Sequence, residues 1–337
     1  MLANKFLASF ANSPAASGLV ALMEQADVAS RRALRVLTYH RVADTALTPT
    51  LYPRVTVHPR VFEQHMRFLR QHYRVVSMDE VLRMKRGEQP ASRLSKPDVL
   101  ITFDDAYCDF AENALPILQR YHLPVTLFVP TAFPGNPQRS FWWDQLYAAL
   151  ECAQDLGLVL TPIGTLPVNT AEQRATAFTL LRDYVKFMPH TAAMAWVEQF
   201  CADLEAPDLA GSVLSWDELR TLAKTGVTLA PHTRNHPLMD QISPDESRIE
   251  AAGSWQDLRA EIGDTLPVFA YPSGGYNPEV MSVLKDEGFE MAFTTQRGLN
   301  DLPQADPLQL KRINVGPKTS LPLLRAQMLG WMKYLVR

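Results

Sequence analysis

Two adjacent carboxylates close the segment Thr102-Phe-Asp-Asp105, directly after the apolar run Val99-Leu-Ile101. Neighbouring acids repel and need a cation close by, so a metal on one leaves the other free to act as a base. In isolation such a pair is more often a helix N-cap with a neighbour favoured by the helix dipole. Farther along, Pro231-His-Thr-Arg-Asn-His-Pro237 follows the β-type run Gly226-Val-Thr-Leu-Ala230. Imidazoles four apart converge on one ion from a helical turn, and the flanking prolines predict that this turn is short and stiff. Joined to Asp105, His232 and His236 make a three-ligand site with positions left for water, the layout of a catalytic metal centre. An ion held there lowers the pKa of water from about 15.7 towards 7, so a weak base can generate hydroxide.

Two more segments carry usable chemistry. The turn in Phe269-Ala-Tyr-Pro-Ser-Gly-Gly-Tyr276 is expected to leave backbone N–H groups open to a ligand, as an oxyanion requires, although many ordinary turns share its composition. Tyr39-His40-Arg41-Val42 places a histidine where it is either a proton donor or a packed core imidazole.

Catalytic groups of parallel α/β folds project from the C-terminal ends of strands, and the β-type runs fall where these segments need them. The pattern predicts strands over Leu34 to Tyr39, Tyr73 to Ser77, Val99 to Phe103, Val125 to Val129, Val227 to Ala230, Val268 to Tyr271, Met291 to Thr294 and Leu310 to Val315. Eight short strands alternating with helical stretches predict a barrel. Capping boxes at Ser215-Trp-Asp-Glu218 and Ser243-Pro-Asp-Glu246 mark helix starts, and Asn277-Pro278 opens a helix that Gly288 ends. The rhythm breaks between about 139 and 214, which reads as a mostly helical insertion with one Pro/Gly-rich loop. Its Trp142, Trp143 and Tyr147 are either core or a stacking platform at the barrel mouth. Residues 1–31 read as an N-terminal helical segment, 32–316 as the barrel and 317–337 as a C-terminal amphipathic helix. In that last helix Leu324, Met328, Trp331, Met332 and Leu335 form a stripe beside Arg325, Lys333 and Arg337. The stripe suits either its own domain, the commoner outcome, or peripheral contact with an anionic membrane face.

Composition narrows the classes. A formal charge of -3 over 337 residues excludes a nucleic-acid binder working through a broad basic surface. With 47% hydrophobic and 20% charged residues the chain is not of disordered type. Cys108, Cys152 and Cys201 are scattered and form no CxxC pair, which argues against a disulfide framework and a thiolate metal site. Asn12, Ser13 and Pro14 cut short the apolar stretch Phe6 to Ala11, so a cytoplasmic protein, or one peripheral to the inner membrane face, is expected rather than a secreted one.

In this order, Leu37-Thr-Tyr-His-Arg-Val42, Thr102-Phe-Asp-Asp105, His232-Thr-Arg-Asn-His-Pro237 and Tyr271-Pro-Ser-Gly274 resemble the polysaccharide deacetylase family, also called NodB-homology domains or carbohydrate esterase family 4. Phe293-Thr-Thr295 and Leu310-Lys-Arg-Ile313 match more loosely. The resemblance implies an α/β fold: a distorted, incomplete TIM-like (β/α) barrel with a divalent metal, usually Zn2+, on Asp105, His232 and His236. It also implies that Asp104 is the general base, and that the Ser273 N–H helps to hold the oxyanion. Tyr107, Tyr271, Pro272 and Ser273 would lie along the substrate.

The chain departs from the family pattern in three ways. No histidine follows His236, so the acid is expected to be His40 of the YHRV motif. The usual arginine before the third-motif proline is missing, and Arg312 is expected to replace it as the partner of Asp104. Ala106 stands where glycine is common, which predicts backbone without positive φ. The implied activity is removal of acetate from an N-acetylated amino sugar in a polysaccharide or its lipid-linked precursor. Another small amide, such as a formamido sugar, would suit the same centre. A non-catalytic glycan binder fits less well, because Asp104, Asp105, His232 and His236 are all present.

Overall fold

The structure is a computed structural model that describes residues 18, 23, 24, 27, 30–47, 51–88 and 96–330. Most of the expected N-terminal segment, and Trp331, Met332 and Leu335 of the apolar stripe, lie outside the described residues.

All eight predicted runs form strands, most of them shifted or trimmed by a residue or two. In chain order the strands are β1 (Arg35–Tyr39), β2 (Arg41–Val42), β3 (Thr56–Val57), β4 (Arg74–Val76), β5 (Asp98–Phe103), β6 (Thr126–Val129), β7 (Leu158–Thr161), β8 (Gly164–Pro167), β9 (Thr228–Pro231), β10 (Val268–Ala270), β11 (Met291–Arg297) and β12 (Leu310–Asn314). Seven of them follow one another as β10-β11-β12-β1-β5-β6-β9, parallel throughout, in a nearly closed barrel. The eighth, β4, pairs with the first half of β5 at Asp98–Leu100, while β6 takes the second half at Thr102 and Phe103. It is therefore a side branch rather than a stave. No ladder joins β9 to β10 among the described residues, so a seam runs between them.

Strands buried on both faces need unbroken apolar sequence, and β1, β5, β6 and β10 are buried at every position. Because the staves are parallel and in register, with Tyr39 beside Phe103, Phe103 beside Leu127 and Val129 beside Pro231, their C-terminal ends open at one rim. His40, Asp104 and His232 are each the residue that follows such a register point.

Helices Trp216–Lys224 and Pro244–Ile262 begin at the two expected capping boxes, and Asn277 caps Pro278–Asp286. Between β6 and β9, helices Trp142–Cys152, Ala171–Phe187 and His190–Asp203 pack around Leu146, Leu150, Phe178, Leu181 and Phe200. The Pro/Gly-rich stretch among them is not a plain loop. It is an antiparallel hairpin of β7 and β8, turning at Gly164 with φ 111°.

At the C-terminus, Leu324 and Met328 are fully buried in the barrel's outer core. The Arg35 Nε–H donates to the Met328 carbonyl at 2.9 Å, which ties this segment to the first stave. No described helix is long and apolar enough to cross a membrane. Leu324→Ala should therefore cost about 2–5 kcal/mol of stability, the range for a buried leucine, measured by denaturant unfolding. An unchanged midpoint would mean that this residue serves something other than the core.

Candidate metal centre

Asp105, His232 and His236 meet at the open rim, with all three side chains buried and one ligand atom from each within 4.8 Å of the others. The Asp105 Oδ1 lies 3.5 Å from His232 Nε2 and 3.3 Å from His236 Nε2. Ligand atoms on one tetrahedral ion with bonds near 2.0–2.1 Å sit about 3.3 Å apart, so these separations fit a shared cation. Neither contact has hydrogen-bond geometry, and Asp105 Oδ1 is left buried with no hydrogen-bond partner. A buried carboxylate oxygen in that condition is costly unless a cation satisfies it.

The two imidazoles are prepared for the same task. The His232 Nδ1 lies 2.7 Å from the Ala270 carbonyl across the barrel seam; as the donor there, it leaves the Nε2 lone pair facing inward. Burial pushes the His232 pKa down to about 4, so the ring is neutral at physiological pH. The loop carrying both histidines is a bend and not the helical turn expected from its spacing, because Thr233 and His236 have φ of 64° and 58°. Its shape is enforced from helix Pro244–Ile262. Glu250 accepts from the Arg234 and Asn235 N–H groups at 2.8 Å each, and Asp257 takes the Arg234 guanidinium at 2.8 and 2.7 Å. Gly253 lies beneath that guanidinium, where a Cβ would come within 2.6 Å of it. That contact accounts for a glycine in a helix interior.

Asp104 is held by Arg312 through two 2.8 Å bonds, and the Arg312 Nε–H donates to the Thr294 carbonyl at 2.8 Å. Burial alone would raise the Asp104 pKa; the positive charge of Arg312 prevails and holds it at about 2. Arg312 is fully buried behind Asp104 and does not line the cavity, so it is a positioning residue and acts through Asp104.

A cleft of about 670 Å³ opens over these groups. His40, half-buried, forms part of its wall with Asp104, Asp105, Ser273 and Thr295, while Trp142, Trp143, Arg182 and Lys186 come from the helical insertion. Trp143 stacks on Phe141 at 4.5 Å and meets His236 edge-on at 4.8 Å. Tyr147 instead packs into the insertion against Tyr52 and Phe178.

Three expectations need correction. The side chains of Tyr107 and Tyr271 are fully buried and do not reach the cleft: Tyr107 donates to Asp144 at 2.5 Å and Tyr271 to the Leu308 carbonyl at 3.0 Å. Pro272 is buried too, which leaves Ser273 as the member of that turn lining the cavity. The N–H groups of Gly274 and Gly275 are consumed by the Tyr271 and Pro272 carbonyls, at 2.9 and 3.1 Å. Ala106 does have positive φ, at 53°. It is fully buried, and its carbonyl accepts from Leu214 N–H at 2.9 Å, so packing imposes what glycine would allow freely.

The sequence reading also missed the residues that lock the insertion onto the barrel. Asp144 is fully buried and accepts from the Tyr107 hydroxyl and from Tyr52 N–H at 2.7 Å; Trp143 Nε1–H donates to the Tyr107 oxygen at 2.9 Å. Asp109 does the same for the YHRV segment, accepting from Arg41 Nε at 2.7 Å and from Val42 N–H at 2.9 Å. An acid inside an apolar helical stretch is the signal that could have found Asp144.

A parallel barrel with a carboxylate, two imidazoles and a second, ionised carboxylate at its C-terminal rim defines a candidate metallohydrolase centre. The family profile described as polysaccharide deacetylase matches residues 91–156 and 166–292, and the chain belongs to that family. YxkH of Bacillus subtilis (strain 168) is 20% identical over 289 residues, covering 85% of this chain and 73% of its own. The poly-β-1,6-N-acetyl-D-glucosamine N-deacetylase of Escherichia coli (strain K12) is 22% identical over 301 residues; the match takes in 81% of this chain and 35% of that protein. Among solved structures, the Streptococcus pyogenes deacetylase PplD in complex with acetate superposes with a TM-score of 0.58 at 21% identity, covering 88% of this chain and 98% of that one. IcaB from Ammonifex degensii gives 0.57 at 20% identity over 88% and 97%. These two likenesses establish the fold.

Burial raises the Asp144 pKa from 3.8 to about 7, against the opposing hydrogen bonds from Tyr107 and Tyr52. Between these values the folded chain keeps a proton that the unfolded chain has released, so stability falls as pH rises through the window. Asp144→Asn lacks this titration. Its unfolding free energy relative to wild type should climb from pH 4 to 7 and level off above, in urea titrations at each pH. A difference that stays constant would show that Asp144 ionises normally.

Proposed function

We propose that the protein is a zinc-dependent N-deacetylase that hydrolyses the acetamido group of an amino sugar in a polysaccharide or its lipid-linked precursor, releasing acetate. The observation carrying this reading is the buried, unpartnered Asp105 oxygen facing two imidazole nitrogens, one residue from a carboxylate kept ionised by Arg312. Family membership supports the reaction class, and the name of the E. coli relative supports a hexosamine polymer as the kind of substrate.

Asp105, His232 and His236 would hold the divalent ion, which when bound would acidify a water molecule and polarise the amide carbonyl. Asp104 takes the proton from the attacking water. Its fixed bidentate contact with Arg312 aims the carboxylate and keeps it charged when substrate fills the cleft. His40, on the cleft wall, donates a proton to the departing amine. Ser273, whose turn lines the cleft, offers its N–H to the developing oxyanion. Trp142 and Trp143, whose rings meet edge-on, give the sugar an apolar corner of the cleft.

Acetate release from N-acetylated oligosaccharides by the zinc- or cobalt-loaded protein tests this directly. If the purified chain binds no stoichiometric divalent ion and the added metal yields no acetate from any N-acetylated glycan, the reading fails. Asp104→Asn should lower kcat by at least about 10²-fold while metal content, read by elemental analysis, stays at wild-type level. Loss of metal in that variant would reverse the assignment of the two aspartates. His40→Ala should depress kcat by about 10²-fold or more with little change in KM, and an unchanged rate would remove it as the acid.

A further inference from the structure

The insertion brings two cations to the cleft that the hydrolysis does not use. Arg182 and Lys186 sit one turn apart on helix Ala171–Phe187, and both line the cavity that contains Asp104 and Asp105. Neither aspartate pairs with them: Asp104 is bound by Arg312 and Asp105 faces the two imidazoles. Lys186 Nζ reaches the Ser273 hydroxyl at 3.5 Å, and no described carboxylate lies within ion-pair distance of it. Burial, reinforced by the charge of Arg182, lowers the Lys186 pKa. Arg182 has one ion pair among the described residues, with its sequence neighbour Asp183, whose side chain is 52% exposed, and a side-chain hydrogen bond with Tyr52, which brings no charge at neutral pH; an ion pair on the surface binds weakly. A half-buried ammonium without a counter-charge is unfavourable unless a ligand supplies one.

We propose that Arg182 and Lys186 form an anion subsite, so that the preferred substrate is an N-acetylamino sugar bearing a phosphoryl or carboxylate group rather than a neutral glycan. This rests on the deacetylase reading above and narrows its substrate class. A planar guanidinium beside a mobile ammonium suits oxyanions that present two or three oxygens, and the insertion holds both in the cleft that contains the metal ligands.

The test is calorimetric titration of the zinc-loaded full chain with N-acetylglucosamine 1-phosphate, N-acetylmuramic acid and the neutral methyl glycoside of N-acetylglucosamine, with acetate release followed in parallel. At least one anionic sugar should bind about tenfold or more tighter than the neutral one, the size of a single charge-assisted contact. The phosphate and carboxylate arms identify which anion the subsite takes. The preference should fall to near unity in the Arg182→Gln/Lys186→Met double variant and survive in Lys186→Arg. Equal affinities in the wild type overturn the proposal. So does a preference that persists in the double variant, since the anion would then be held by the metal. Anion preference without acetate from any sugar would leave the subsite standing and remove the deacetylase reading; acetate released with no preference would do the reverse.

Discussion

Asp104 and Asp105 are consecutive, each 2% exposed, and both must be ionised to be useful. Two buried like charges at that separation destabilise each other and the fold unless each has its own cation. Much of the rim is arranged around supplying them. β12 lies beside β1, and β1 beside β5, which brings Arg312 behind Asp104 from more than two hundred residues away. On the other flank, β6 carries β9 to the position from which His232 and His236 face Asp105. The division is asymmetric: one carboxylate receives a permanent protein cation, while the other is left facing two imidazoles across a space that suits a cation.

Holding this arrangement requires backbone that the chain would not adopt on its own. Among the described residues seven non-glycine positions have positive φ, and five of them, Asp105, Ala106, Thr233, His236 and Ser273, belong to the site. Each costs of order 1 kcal/mol and persists because the surroundings over-determine it. Glu250 and Asp257 clamp the histidine loop, Leu214 ties down Ala106, and Asp109 secures the segment after His40. Contacts from outside the rim thus hold these backbone positions in place.

Much of this was legible in the sequence. The strand runs were apolar because parallel staves are buried on both faces, and the ligand residues stood at their ends because that is where side chains leave the sheet. What escaped reading depended on contacts distant in sequence. Nothing local to Ala106 announces positive φ; it follows from packing against a segment a hundred residues later. Tyr107 and Tyr271 looked like substrate contacts by position, yet the insertion and the loop before β12 cover them. The loop preceding helix Ala171–Phe187 hid a hairpin because its Pro and Gly content outweighed the short alternation around Val159. Nothing in the sequence sets Arg182 and Lys186 apart from the other charges of the insertion; the fold places them at the rim.

The hydrogen bond between His232 and the Ala270 carbonyl has a second meaning. It crosses the gap in the ring where, among the described residues, no ladder joins neighbouring strands, so a residue of the candidate metal centre also fastens the two free edges of the sheet. An ion held by this imidazole would therefore couple its own binding to closure of the ring. Widening of the gap would draw His232 away from Asp105 and His236, and an ion seated among the three would resist it. The barrel resembles a bracelet whose clasp is its candidate metal centre.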